Sequence, residues 1–424
     1  MFGGAASTRL RAEGKHHLPI LEWIGTPLHA WLRTVAPAEF GGQGNIIEDA
    51  KTTFENPEER RGRSIDEIAA YFAFHDPRRQ PDRLINTPGL PIVYEWEATP
   101  QEPEVPKDVD KIFSRLLELN NDVDGIIFQT IEEYEPPEAL MAGQQILGKN
   151  GIRPLFLVGA QQPPTVWTAG DSKAAGTLAR PLATKDGDTA VFKFLDKCEE
   201  EFGARSVLYI SFGSFFWPAR HPEIVEDIVE TLLNMQPPIP FLFALSSPLA
   251  NLSSALAERI KTSPQCLFLP WVPQTLIFQH PGLGLFLTHG GMNSSTEALI
   301  FEMPMILMPF HGDQGTNAII LSSEEYFDVG IELLQFRTGE ALEKGLAYRN
   351  GGTKIEGTSE ARRKELKDVL QRMRAGDEAD KKRKNVGQLG TTWRNSIKEN
   401  GSAWKQFREL DRWMITKEAV TATM

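Results

Sequence analysis

Residues 271–314 read WVPQTLIFQHPGLGLFLTHGGMNSSTEALIFEMPMILMPFHGDQ. The run Leu283–Thr288 is apolar up to its final threonine, the pattern of a strand buried on both faces of a parallel sheet. His289-Gly290-Gly291 breaks it, and a helix is predicted to open near Asn293 and carry Glu297 and Leu299. Glycines at such a break let a ligand approach the backbone closely, and the first N–H groups of a helix lack partners. A helix start also carries about half a positive charge, which suits a phosphate. On its own residues, the stretch predicts a strand–turn–helix site for something anionic.

The same grammar extends outward. Ser206–Ser211 predicts a strand ending at the loop Phe212-Gly213-Ser214, followed by a helix over Pro222–Met235, a strand over Pro240–Leu245 and a short apolar run, Cys266–Pro270. Met305–Pro309 predicts a further strand, ending at the loop His311–Gln314. Strands alternating with helices build a parallel sheet, and its ligands bind outside the carboxyl ends of the strands. The loops after residues 211, 288 and 310 fall at such ends. Val123–Thr130, Pro136–Leu147 and Pro154–Gly159 repeat strand, helix, strand, with the first convincing strand of the chain starting near Val123. Residues 160–190, rich in Gly, Pro, Thr and Ala, read as a linker. Helices are predicted over Ser64–Phe74, where Ser64 and Glu67 form a capping box, and over Val109–Leu119. Residues 359–384 predict a charged helical stretch whose basic run Lys381–Lys384 is a solvated face. Ala403–Met414 predicts a last amphipathic helix.

With 424 residues the chain suffices for two domains, and its hydrophobic content of 41% is that of a globular protein. A net charge of −12 argues against a nucleic-acid partner, which demands a basic footprint. No apolar run reaches the roughly eighteen residues of a membrane span, and the N-terminus lacks a signal-peptide core. Two cysteines, Cys198 and Cys266, fit buried thiols in a reducing compartment, so a cytoplasmic location is expected. Trp271 follows a short apolar strand and precedes Pro273, a position that suits a planar stacking surface for a base better than a core indole.

The residues of this stretch, in this order and spacing, resemble the nucleotide-sugar signature of UDP-dependent glycosyltransferases. The match runs from W-x-P-Q at Trp271, Pro273 and Gln274 through His280, Thr288–Ser294, Glu297, Pro304-Met305 and Pro309 to Asp313-Gln314. The resemblance implies an α/β fold of two Rossmann-like lobes (GT-B type) that takes a UDP-sugar as co-substrate and needs no cofactor or metal. It implies an indole at Trp271 stacked on uracil, with Val272 beside it, Gln274 near the ribose or base, and Glu297 on the ribose hydroxyls. His289, Gly291, Asn293 and Ser294 are implied on the diphosphate, with Ser214 approaching from the other side. Asp313 and Gln314 are implied on the sugar hydroxyls, with a lean toward glucose. The implied reaction is inverting transfer of a hexose to a hydroxyl of a small lipophilic acceptor, a sterol or terpenoid among the classes. Charge building on the diphosphate would be met by the helix start and His289.

One element of the family pattern is not found. Its general base is a histidine just after the first strand of the N-terminal lobe. His16 and His17 follow a charged segment with no buried strand before them, and His29 and His75 are no better placed. Val35–Gly42 with Pro88–Pro91 resembles the later half of that lobe in fungal members, so the N-terminal lobe is expected to be incomplete. The organisation expected is a partial acceptor-side lobe over 1–160, a linker over 161–190, a nucleotide-sugar lobe over 191–400, and a helix over 401–424 returning toward the first lobe. The alternatives are a protein that binds a UDP-sugar or a partner without turnover and, ranked below it, a UDP-sugar epimerase.

Overall fold

A computed structural model of the chain describes residues 19–37, 40–42, 46–74, 84–102, 123–149, 151–169, 186–349 and 351–422. The helix expected over Val109–Leu119, together with His16, His17 and His75, lies outside the described residues. The chain divides into two compact units. The first draws on residues 1–95, 105–161 and 395–424, the second on residues 96–104 and 162–394.

The first described elements of the first unit are strand β1 (Leu21–Ile24) and helix α1 (Leu28–Val35). Helices α2 (Ile46–Glu55) and α3 (Ile65–Phe74) follow. The capping box of α3 forms as expected: Ser64 N donates to Glu67 Oε2 at 2.7 Å, and Glu67 N donates to Ser64 Oγ at 3.1 Å. Next come β2 (Gly125–Phe128), α4 (Pro137–Ile146) and β3 (Leu155–Leu157). β1, β2 and β3 form a parallel sheet in that order, with Leu21 opposite Gly125 and Ile126 opposite Leu155. The first described strand is thus β1, about a hundred residues before the Val123 strand that the sequence predicts, with Val123 only flanking the second. The hydrophobic pattern of β1 is inverted: Glu22 is buried and Trp23 is 46% exposed.

Within the expected linker, α5 (Pro164–Ala169) is helical, and α6 already starts at Asp186 and runs to Phe202. The second unit continues with β4 (Val207–Ser211), α7 (Pro222–Leu233), β5 (Phe241–Ala244), α8 (Ser254–Thr262) and β6 (Cys266–Leu269). Then follow α9 (Gln274–Ile277), β7 (Leu283–Thr288), α10 (Met292–Ile300), β8 (Met305–Leu307), α11 (Gln314–Ser322) and β9 (Gly330–Glu332). The sheet order is β9-β8-β7-β4-β5-β6, and every pairing is parallel. β4 and β7 are buried along their whole length at the sheet centre, and Tyr209 stacks on Phe286 across them, centroids 4.9 Å apart. The chain runs outward from β4 to β6, then returns to the other flank of β4 with β7. The strand order therefore reverses between β4 and β7, and the crevice at their carboxyl ends is where such sheets take ligands.

The charged stretch beyond residue 358 is two helices, α12 (Ser359–Arg374) and α13 (Asp377–Ser396), broken where Gly376 adopts φ +95°. Its basic run is not simply a solvated face. Lys382 is 4% exposed and meets Asp328 at 2.5 Å, while Lys381 also reaches Asp328, at 2.8 Å. The last helix, α14 (Ser402–Ala422), packs on β3 of the first unit, with Phe156 and Trp413 5.9 Å apart. No helix among the described residues is long and apolar enough to cross a membrane.

Candidate functional site

Three loops of the second unit meet at the switch point: Phe212-Gly213-Ser214 after β4, His289-Gly290-Gly291 after β7, and Phe310–Asp313 after β8. His289 is the hinge between the first two. Its imidazole is 8% exposed, and a Cβ on Gly213 or on Gly291 would stand 2.7 or 2.6 Å from its Nε2. Both glycines are therefore walls of a slot shaped to the ring, and Gly213 also needs its φ of +74°. Burial pushes the His289 pKa down to about 4, against a hydrogen bond to the Ser211 backbone that favours the protonated ring. The free protein carries this ring neutral.

The α10 start is partly occupied. Asp313 Oδ2 accepts the Met292 N–H at 3.0 Å and the Asn317 Nδ2 amide at 2.7 Å. Asn317 Nδ2 also donates to Gly290 O at 2.9 Å, so this buried side chain pins the β8 loop onto the turn. The Asn293 and Ser294 amides have no acceptor among the described residues, and these are the donors left for an anion. The signal for Asn317 was present in the sequence as the i, i+4 spacing from Asp313, but nothing in the family signature drew attention to it. Gln314 is buried, and its Oε1 accepts from Phe310 N at 2.8 Å and His311 N at 3.3 Å. That orientation is forced by two backbone donors, so Gln314 can offer an incoming hydroxyl only its Nε2 hydrogens.

Trp271 follows β6, and Glu297 stands on α10. Trp271 is 56% exposed, whereas its neighbour Val272 is buried. Gln274 Nε2 donates to Glu297 Oε2 at 2.8 Å and approaches Ser294 Oγ at 3.4 Å, joining three expected site residues in one cluster. Gln162 Nε2 donates to the other oxygen, Oε1, at 3.2 Å. Burial raises the Glu297 pKa, while these two amides pull it back. Ser214 is exposed at its loop tip. His280, although part of the signature, is structural: Nε2 pairs with Asp196 at 3.1 Å and Nδ1 accepts the Gly282 N–H at 3.1 Å, tying α6 to β7.

His29 lies in α1 directly after β1. It is fully buried, and Glu135 accepts its Nδ1 at 2.7 Å along with the Leu28 and His29 amides at 2.8 and 2.9 Å. Burial pushes the Glu135 carboxyl up, but its pairing with His29 outweighs that and leaves its pKa below the usual value. Glu135 thus caps the start of α1 and holds the ring at Nδ1, while Nε2 is buried without a hydrogen-bond partner. Asp-x-Asp triplets occur at 108–110, 122–124 and 186–188, and of these side chains only Asp124 is described; it accepts the Ile20 N–H at 2.7 Å. The described residues hold no group of three or more His, Cys, Asp or Glu placed to bind a metal.

The architecture is that of the GT-B class, with two Rossmann-like lobes. Its fold matches the crystal structure of UDP-glucose: anthocyanidin 3-O-glucosyltransferase in complex with UDP (TM-score 0.59, 18% identity, covering 97% of this chain and 73% of that one). Residues 189–331 match the model of the family described as UDP-glucoronosyl and UDP-glucosyl transferase. The UDP-glycosyltransferase eriJ of Hericium erinaceus is 30% identical over 290 residues, 66% of this chain and 53% of that protein. A flavonoid 3-O-glucosyltransferase of Medicago truncatula is 33% identical over 179 residues, 41% of this chain and 37% of that protein. Over residues 189–331 the second unit therefore carries a domain of the UDP-glucoronosyl and UDP-glucosyl transferase family. It spans about half the length of the first of these relatives and less of the second.

Proposed function

We propose that the second unit binds a UDP-linked hexose, glucose in the first instance, and that the protein transfers the sugar with inversion to a hydroxyl of a small lipophilic acceptor. The observation that carries this reading is the cluster at the switch point, the Glu297 carboxylate held by Gln274 and Gln162 beside a helix start with two open amides, with the exposed Trp271 three residues before Gln274 in the chain. Trp271 stacks on uracil, Glu297 takes the ribose hydroxyls, and Asn293, Ser294 and Ser214 hold the diphosphate. His289 is neutral, with an anion raising its pKa on arrival so that it donates to a phosphate oxygen. Asp313 and Gln314 address the sugar, Gln314 as a donor. These groups stabilise the negative charge that grows on the departing diphosphate, with no step that calls for a metal.

Release of UDP from UDP-glucose in the presence of phenol, sterol and terpenoid acceptors tests the activity, with Trp271→Ala expected to weaken UDP binding at least tenfold. Unchanged affinity in that variant would count against the site. A second reading, donor binding without turnover, is favoured by one observation: His29, the histidine following the first described strand, is fully buried, with Nδ1 on Glu135 and Nε2 enclosed without a hydrogen-bond partner. UDP binding with no acceptor-dependent release in the panel selects that reading.

A further inference from the structure

Gln162 belongs to no part of the signature, yet it reaches the same carboxylate as Gln274. The two amides divide Glu297 between them, Gln162 on Oε1 at 3.2 Å and Gln274 on Oε2 at 2.8 Å, which fixes the plane of the carboxylate as a single contact could not. The Gln162 backbone is itself pinned, because the Trp167 indole donates to its carbonyl at 3.2 Å and Val166 N closes on Pro163 O at 2.9 Å. Residue 162 is also where the chain re-enters the second unit.

We infer that Gln162 is a positioning residue that orients the Glu297 carboxylate for a vicinal diol, and so sets the preference of this site for a ribonucleoside over a 2′-deoxyribonucleoside diphosphate. The inference rests on the proposed donor site. A carboxylate has about four lone-pair directions. Two amide donors, one on each oxygen, leave each oxygen one further direction in which to accept a hydroxyl, as two adjacent hydroxyls require. Each amide also favours the charged carboxylate, which burial alone would disfavour.

The test is calorimetric titration of UDP, 2′-deoxy-UDP and inorganic diphosphate into the wild-type, Gln162→Leu and Glu297→Gln chains between pH 5 and 8. The Gln162→Leu chain is expected to lose about tenfold in UDP affinity, little for 2′-deoxy-UDP and nothing for diphosphate, which serves as the control for an intact lobe. The pH midpoint of its UDP binding is expected to rise, since a hydrogen bond to the ionised form is lost. Equal losses for all three ligands, or an unchanged UDP affinity and midpoint, overturn the inference. If Glu297→Gln abolishes the ribose preference while Gln162→Leu keeps it, the donor site stands and the role of Gln162 falls. A wild-type chain that binds UDP no better than diphosphate removes both.

Discussion

At the scale of single residues, the site turns on how little room His289 has. Gly291 has an ordinary φ and sits at the helix start, so Gly291→Ala carries no backbone strain; its whole cost is the 2.6 Å approach of the new Cβ to Nε2. Displacing the ring should lower stability by about 1–3 kcal/mol, as overpacking does, and weaken diphosphate binding with it. A calorimetric titration showing native diphosphate affinity in this variant would remove the slot from the site. The pKa of His289 gives a second expectation. It is about 4 in the folded chain and about 6.5 when unfolded. The unfolded state therefore binds more protons between those values, so the contribution is fully present above about pH 6.5 and lost as pH falls toward 4. It amounts to something on the order of 3 kcal/mol. Urea unfolding at pH 7 and pH 5 should show a smaller pH difference for His289→Gln than for wild type; equal differences would refute the assignment.

Elements show which parts of the fold could be read in advance. The clearest case is β7, where six residues buried on both faces leave no alternative to a central strand, and the capping box at Ser64 and Glu67 set the α3 start as read. β1 could not be read, because its inward Glu22 and outward Trp23 cancel the hydrophobic signal; burial lifts the Glu22 carboxyl to about 7 against the pull of Arg153. The break at Gly376 hid inside a continuous charged run, and the burial of Lys382 depended on Asp328, a partner more than fifty residues away. At the site, the signature residues were legible and their mutual bonds were not: that Asp313 occupies the Met292 amide, or that Gln162 reaches Glu297, follows only from the folded backbone. One pair of elements carries its own prediction. Asp227 on α7 is 1% exposed and accepts Arg362 Nε and Arg363 Nε of α12, each at 2.7 Å. Asp227→Ala should cost about 3–5 kcal/mol by stranding buried Arg362, and Asp227→Leu with Arg362→Met should recover most of it. Denaturant midpoints settle the matter, a double variant no better than the single one refuting it.

Across the whole molecule, neither unit is a continuous piece of chain. Residues 96–104, flanked in sequence by the first unit, belong to the second through buried polar contacts. Glu97 is fully buried; it accepts the Tyr348 N–H at 2.9 Å and pairs with Arg349 at 3.5 Å, and Arg349 in turn meets Glu332, which holds Arg337 at 3.0 Å. Gln101 Nε2 donates to Phe336 O at 2.6 Å, and Trp96 Nε1 to Leu346 O at 3.2 Å. Glu97→Gln should destabilise the second unit by about 3 kcal/mol, seen as faster amide exchange in β4 to β9 but not in β1 to β3. Equal acceleration in both sheets would contradict that division. The strap also has a consequence for how the protein is made. Glu97 and Tyr348 are 251 residues apart. A ribosome adding roughly 5–20 residues per second needs on the order of ten to fifty seconds to cover that distance. For that interval the nascent chain carries an indole and a carboxylate whose burial site has not been synthesised, so translation speed between them governs how long the strap stays open to misfolding or chaperone capture.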